Sequence, residues 1–253
     1  LENWTLKFSG EGDANLAGTG AKWDFAVVDS RIWLFNSNGT ISLVKYENGG
    51  WVTFPPQFNV ANEDASFRGS LVVDLNNDGN KSIFMGGWFS GKVYLLDNPN
   101  DADTLVSYEI ADFAPYCNYI RGAAVGDIDN NGKPDLIFGS RYNASNTAKV
   151  PILRVEYQGG DKTNPANYIA SIIDSAYWDN NGDMLVVATG NLDGDAEDEV
   201  LYTQGYSLGN PNDDPMPIIV LDANVTPVSV EKESDIVPAQ FYLDQNFPNP
   251  FNP

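Results

Sequence analysis

A short acidic loop between two apolar runs is the feature that most constrains how this chain can fold. The loop opens at Asp127 and reads D-I-D-N-N-G-K-P-D, with apolar runs at residues 123–125 and 136–138. Short apolar, β-branched and aromatic runs of this kind are typical of strands. Gly132, at the sixth position, permits the sharp turn that would fold the oxygen-bearing side chains inwards. The pattern therefore predicts a strand, a ligand-binding loop and a second strand.

The oxygen atoms of this loop suit a hard divalent cation. Side-chain oxygens stand at positions 1, 3, 5 and 9, and position 7 offers a backbone carbonyl. Ca²⁺ takes roughly six to eight oxygen ligands, and loops of the D-x-[DN]-x-[DN]-G type supply most of them. The predicted ligands are Asp127, Asp129, Asn131, the carbonyl of Lys133, and Asp135.

The loop recurs along the chain. The openings lie at Asn15, Asp74, Asp127 and Asn191, which are 59, 53 and 64 residues apart. The copy at Asn15 has lost its acidic side chains. D-N-N-G-D at residues 179–183 reads as a hairpin turn that imitates the loop, with a weak cation site as the alternative. The other two copies predict further ligands: Asp74, Asn76, Asp78 and Ser82 in one, and Asn191, Asp193, Asp195 and Glu199 in the other. A second apolar strand follows each loop strand, so the spacing suits a four-stranded repeating unit.

This pattern resembles the FG-GAP and VCBS repeats of calcium-binding β-propellers, which occur in integrin α heads and in many secreted bacterial proteins. The resemblance covers about residues 1–223 and is carried by the loops at Asp74, Asp127 and Asn191. It implies an all-β fold, a β-propeller of four-stranded antiparallel blades with about four repeats in this chain, and one Ca²⁺ at each intact loop. A closed four-bladed ring and a larger ring with more blades upstream both fit the pattern.

The composition changes after residue 223. Residues 224–238 are polar and charged, which is typical of a linker. Residues 239–253 contain F-x-L-x-Q-N-F-P-N-P-F-N-P, which resembles the opening of the C-terminal sorting domain that directs proteins through the type IX secretion system of Bacteroidota and related phyla. The resemblance implies the secretion machinery as a partner and the outer surface of a Gram-negative bacterium as the destination. A docking strand for a neighbouring subunit is the alternative.

Composition restricts the possible functions. The chain has 35 acidic and 14 basic residues and no histidine, for a net charge of −21, which argues against nucleic acid and anionic membranes as partners. The missing histidine excludes Ser-His-Asp triads and the commonest zinc ligand. The single cysteine, Cys117, cannot form an intrachain disulfide and is expected to be buried. No apolar stretch approaches the length of a membrane span, and the Leu at position 1 without a signal peptide suggests a mature product or a piece of a longer protein.

Three classes of function remain. We expect a secreted or cell-surface module that binds, adheres to or supports a protein or glycan partner without chemistry. The propeller portion of a polysaccharide lyase or hydrolase is an alternative, although metal ligation already accounts for the acidic pairs noted above. A lectin is the third possibility, in which Trp33, Trp51, Trp88, Tyr94 or Trp178 would stack on sugars, although such aromatic residues usually pack in a core.

Overall fold

The chain folds into antiparallel sheets. The computed structural model describes residues 5–58, 67–98, 103–141, 149–177, 186–203 and 218–223. Within these residues there are four sheets, and the strands of each sheet follow one another in chain order as an up-and-down meander. The all-β prediction is therefore confirmed, with four strands in each of the first three sheets and three described strands in the fourth.

The strands have the following bounds. The first sheet contains β1 (Lys22–Val28), β2 (Arg31–Asn36), β3 (Thr40–Glu47) and β4 (Gly50–Phe58). The second contains β5 (Phe67–Val73), β6 (Ser82–Gly87), β7 (Lys92–Asp97) and β8 (Val106–Asp112). The third contains β9 (Tyr119–Gly126), β10 (Asp135–Arg141), β11 (Lys149–Tyr157) and β12 (Tyr168–Tyr177), with a single 3-10 turn at Pro165–Asn167 before β12. The fourth contains β13 (Val186–Gly190), β14 (Glu199–Thr203) and β15 (Ile218–Leu221).

Neighbouring sheets meet along their first strands. Strand β1 contacts β5, β5 contacts β9, and β9 contacts β13. The Ser70 amide donates to the Asp24 carboxylate at 2.7 Å, and the Thr189 hydroxyl donates to the Val125 carbonyl at 2.6 Å. Among the described strands, no contact of similar extent joins β13 back to β1. The sheets therefore form a sequential array that is held together along one edge.

The core lies between the sheets. Trp33 and Phe35 of the first sheet pack with Met85 of the second, and Phe84 of the second packs with Phe138 of the third. All six residues of β6 are buried, as are the first six of β10, because each strand is covered by sheets on both faces. The outward faces of the end sheets carry exposed apolar side chains: Phe25 and Val27 in the first sheet, and Val186, Ile218 and Val220 in the fourth.

The first sheet differs from the expectation. The apolar and aromatic residues at 4–8 predict the first strand of this sheet. The described residues 5–8 form no strand, and Phe8 instead packs against Trp51 with ring centroids 5.7 Å apart. The fourth strand is β4, which continues through Pro55 and Pro56, although two consecutive prolines favour a break in a strand. Proline is tolerated because β4 lies at the outer edge of the sheet. No helix in the described part of the chain is long and apolar enough to cross a membrane.

Candidate metal centres

Three of the acidic loops occupy equivalent places in three neighbouring sheets. The loop at Asp74 joins β5 to β6, the loop at Asp127 joins β9 to β10, and the loop at Asn191 joins β13 to β14. We call them the second, third and fourth loops, after the sheets to which they belong. In each case the position-9 residue is the first residue of the second strand. Each loop follows the first strand of its sheet. Because these first strands lie side by side, the three loops lie at the same end of the array.

The segment at Asn15 does not belong to this series. It precedes β1, whereas the corresponding link between β1 and β2 is the two-residue turn of Asp29 and Ser30, with Asp29 at a positive φ of 54°. Asn15 instead donates to the carbonyl and the hydroxyl of Thr53, each at 3.0 Å. The expected first copy is therefore a segment that contacts β4, the outer strand of the first sheet.

The loops at Asp74 and Asp127 are built alike. The carboxylate of Asp74 accepts from the amides of Asp78 and Gly79, at 3.1 and 2.8 Å. The carboxylate of Asp127 accepts from the amides of Asn131 and Gly132, at 2.9 and 2.8 Å. Both glycines have positive φ, 88° and 79°, a conformation that glycine adopts at little cost. The opening aspartate therefore stabilises the sharp turn that the glycine was predicted to permit.

The third sheet brings three predicted ligands together at the Asp127 loop. Carboxylate oxygens of Asp127, Asp129 and Asp135 lie within 4.8 Å of one another. Asn131 directs its side-chain oxygen to the Lys133 amide, at 2.9 Å, so that this oxygen is already used within the loop. The donor set contains three acidic groups, which is chemically suited to a hard cation.

A side-chain cation also reaches this cluster. Arg154 of β11 donates through Nε to Asp135 at 2.6 Å and through Nη2 to Asp129 at 2.5 Å. Nη2 also donates to Glu156, at 2.8 Å. Burial raises the pKa of Asp135 against the opposing effect of Arg154. The third loop therefore has an intramolecular counter-charge that its own sequence did not indicate.

The fourth sheet holds the second cluster. Carboxylate oxygens of Asp193, Asp195 and Glu199 lie within 4.8 Å of one another. Glu199 is 3% exposed; its Oε2 accepts from the Leu192 amide, whereas its Oε1 is buried without a hydrogen-bond partner. Glu199 has no ion pair in the described part of the chain. A buried carboxylate oxygen without a partner is costly, and a bound cation would provide one.

The turn of the fourth loop is shifted, as its sequence indicates. Asn191 accepts from the Gly194 amide at 2.8 Å, and Gly194 has a φ of 88°. The oxygens of Asp193 and Asp195 accept from the amides of Asp195 and Glu197, each at 3.1 Å. The glycine at position 4 thus provides a turn without disrupting the cluster.

The loop at Asp74 has the poorest set of donors. Asn76 donates to Asp78 at 3.0 Å, and no cluster of three acidic groups forms here among the described residues. The position-9 hydroxyl of Ser82 accepts from Lys162 at 3.2 Å, and Lys162 also bonds to Asp97 at 2.8 Å. As in the third loop, a basic side chain from another element approaches the predicted ligands.

The aromatic residues considered for sugar stacking are mostly core residues. Trp33 is fully buried, and Tyr94 and Trp88 are buried as well. Trp51 is partly exposed and packs against Phe8 and Tyr46. Trp178, the hairpin turn at residues 179–183, and the linker and tail from residue 224 lie outside the described residues.

Comparison with known families agrees with the loop pattern. Residues 74–138 match the FG-GAP-like repeat. The matched segment runs from the opening of the second loop through the third loop and into β10. No curated protein matches the sequence. The chain thus contains an FG-GAP-like repeat within a β-rich fold, and such repeats are typical of extracellular and surface proteins.

Proposed function

We propose that this protein is a calcium-stabilised β-propeller that acts outside the cell as a non-enzymatic binding, adhesion or structural module for protein or glycan partners. The observation that carries the proposal is the recurrence of one acidic loop at one place in three consecutive sheets, two of them within the FG-GAP-like match. The meander order of the strands and the contacts between first strands support the assignment of each sheet as a blade. The exposed apolar outward faces of the end sheets would pack on neighbouring blades.

Calcium is the cation that the clusters fit best. The fourth loop would bind it through Asp193, Asp195 and Glu199, and the third through Asp127, Asp129 and Asp135. On sequence alone the third loop would rank first, because it has three acidic groups and a glycine at position 6. The structure favours the fourth, because Arg154 already neutralises part of the third. Extracellular Ca²⁺ sites have dissociation constants of about 10⁻⁴ to 10⁻³ M, so the stabilisation is on the order of one kcal/mol per site at millimolar Ca²⁺.

Three acidic groups outside the fourth loop are already bonded within the fold, which supports binding rather than catalysis. Asp135 and Glu156 are both held by Arg154, and Asp174 accepts from the Tyr202 hydroxyl at 2.7 Å. Burial and this bond to Asp174 raise the pKa of Tyr202, so that its hydroxyl remains a donor to Asp174 well above neutral pH. These acids are bound to partners within the fold, whereas a general acid or base must reach a substrate. The propeller portion of a polysaccharide-degrading enzyme is the alternative function.

The place of action is proposed from the tail. We assign residues 1–223 to the propeller, residues 224–238 to a linker and residues 239–253 to the beginning of a type IX sorting domain. Secretion to the outer surface agrees with the millimolar Ca²⁺ that sites of this kind require.

Calorimetry of the full chain tests the calcium proposal. Millimolar Ca²⁺ should raise the melting temperature above that in EDTA by a few degrees, since about 1 kcal/mol corresponds to about 2–4 °C for a domain of this size. Glu199→Gln should reduce this rise, whereas Asp29→Asn, in the tight turn of the first sheet, should not. Equal melting curves with Ca²⁺ and with EDTA, and no heat of Ca²⁺ binding, would show that the loops are only turns.

A further inference from the structure

The connection between β11 and β12 is a strap that reaches from the third sheet to the second. It consists of residues 158–167 and is held by its own hydrogen bonds. The Asn167 side chain donates to the Asp161 carbonyl at 2.9 Å, and the Tyr168 hydroxyl donates to the Lys162 carbonyl at 2.7 Å. The backbone that carries Lys162 is therefore fixed independently of the contacts of its side chain.

The side chain of Lys162 bonds to the second sheet. Its Nζ donates to the Ser82 hydroxyl at 3.2 Å and to the Asp97 carboxylate at 2.8 Å. Ser82 begins β6 and Asp97 ends β7, which pair with each other, so the ammonium group bridges two neighbouring strands. The Asp97 side chain is only 17% exposed, so salt screens this ion pair less than one at the surface. The Tyr168 ring also lies 6.4 Å from the Phe84 ring of β6, so the strap is fixed to the second sheet by an ion pair and by core packing.

The three acidic loops differ at position 9. Ser82, Asp135 and Glu199 stand there, each buried at the start of its strand. The two carboxylates suit a divalent cation, and Glu199 keeps one buried oxygen without a partner. The hydroxyl of Ser82 brings no negative charge and already accepts from the ammonium of Lys162. The second loop therefore lacks the buried negative charge of the other two loops and has a positive side chain at that place.

The ammonium group also lies beside the other predicted ligands of the second loop. Lys162, Asn76 and Asp78 line one cavity of about 690 Å³. The Asn76 side chain donates to the Asp78 carboxylate at 3.0 Å, so this carboxylate already has a donor within the loop. A divalent cation that entered the cavity would be repelled by the ammonium group of Lys162. The lysine and a metal ion would thus compete for the same loop.

We propose that the second loop holds the ammonium group of Lys162 in place of a metal ion. The strap then fastens the second sheet to the third at every Ca²⁺ concentration, whereas the third and fourth loops gain stability only when the ion is present. The series of loops thus contains one permanent joint beside two that respond to calcium. The inference goes beyond the proposed function and does not depend on it, because the bonds of Lys162 form without any ion.

The test is acetylation of the full chain by a trace amount of an N-hydroxysuccinimide ester, with the rate at each lysine measured by mass spectrometry. Lys162 should react about tenfold more slowly than Lys81, because its amine must first leave two acceptors, and hydrogen bonds to charged groups are among the stronger ones. Lys81 is the matched control, since it lines the same cavity, is exposed, and forms no ion pair with the described part of the chain. The slow rate at Lys162 should be the same in EDTA and in millimolar Ca²⁺.

Two variants extend the test. Asp97→Asn should raise the rate at Lys162 towards that of Lys81 and leave the rate at Lys81 unchanged. Asp78→Asn should leave the number of Ca²⁺ ions bound per chain unchanged in titration calorimetry, whereas Asp193→Asn, in the fourth loop, should reduce it by one. Melting curves verify that both loop variants fold.

Three outcomes would overturn the inference. They are equal rates at Lys162 and Lys81 in the wild type, a faster reaction of Lys162 when Ca²⁺ is added, and the loss of one bound Ca²⁺ in Asp78→Asn. The result is separable from the calcium proposal: if no Ca²⁺ binds to the chain, the calcium proposal fails, while the rates measured in EDTA still decide whether Lys162 is held by the second sheet.

Discussion

The backbone amide of Asp127 donates to the side chain of Asp198 at 3.0 Å, and the backbone amide of Asp198 donates to the carbonyl of Asp127 at 3.1 Å. The residue that opens the third acidic loop is thus bonded twice to the fourth loop. Asp198 directly precedes Glu199, which carries the buried oxygen without a partner. The two best candidate sites therefore share a boundary.

Replacement of Asp198 should affect both sites. Asp198→Ala removes the acceptor for the Asp127 amide, and hydrogen bonds to charged groups contribute about 1.5–3 kcal/mol, with less expected here because Asp198 is only partly buried. We expect lower stability in urea and weaker Ca²⁺ binding at both loops. Glu197→Gln, which changes a neighbouring carboxylate, is the control. An unchanged Ca²⁺ titration in Asp198→Ala would show that the loops act independently.

Arg154→Met should reveal the internal counter-charge of the third loop. Without calcium the variant should be less stable, since Asp135 and Glu156 would remain buried with fewer partners. With millimolar Ca²⁺ the loss should be smaller, because the ion can take the place of the guanidinium. Melting temperatures in EDTA and in Ca²⁺ measure both effects. Arg31→Met breaks an ion pair with Asp103 away from the loops and should lower the melting temperatures in EDTA and in Ca²⁺ equally. An equal loss in Arg154→Met would show that Ca²⁺ does not take the place of the guanidinium.

Cys117 should make stability fall at high pH. Burial raises the pKa of Cys117 from 9.0 to about 12. The unfolded chain therefore loses the thiol proton at lower pH than the folded chain, and the free energy of unfolding should fall as pH rises from about 9 towards 12. In Cys117→Ala this part of the pH dependence should disappear. At pH 8, a thiol reagent should react with the wild type only upon unfolding; fast reaction in native buffer would contradict the burial.

The tail can be tested in the producing bacterium. Removal of all residues after Asp235 from the full-length gene should cause the protein to accumulate in the periplasm. Replacement of residues 224–235 by a glycine-serine segment of equal length should leave surface delivery unchanged, since a linker needs only length. Normal surface amounts of the truncated protein would remove the basis for the sorting proposal.

The sequence could locate the acidic loops because their chemistry is local. Ligand residues and turn glycines at fixed spacing identify the loops at Asp74, Asp127 and Asn191 between strands, and the structure has them there. The segment at Asn15 was misplaced in the series because spacing alone cannot show that the Asp29 turn takes its position. The path of β4 through Pro55 also required knowledge of which strand forms the sheet edge.

Arg154 and Asp198 could not be predicted as site residues for a different reason. Arg154 reaches the third loop because β10 pairs with β11 so that Ile137 faces Arg154 and Asp135 faces Glu156. Asp198 reaches the same loop from the next sheet. Cross-strand register and packing between sheets are three-dimensional relationships, and the spacing of residues within one loop carries no information about them.

The burial of β6 and β10 on both faces has a kinetic consequence. Each of these strands depends on two neighbouring sheets, whereas the end sheets have one covered face each, so the array resembles a chain of nearest-neighbour couplings. Opening should therefore begin at the ends and proceed inwards, with the slowest amide exchange at β6 and β10. A protease acting on the native protein would then remove the fourth sheet before it reached the second, and would leave a resistant middle fragment.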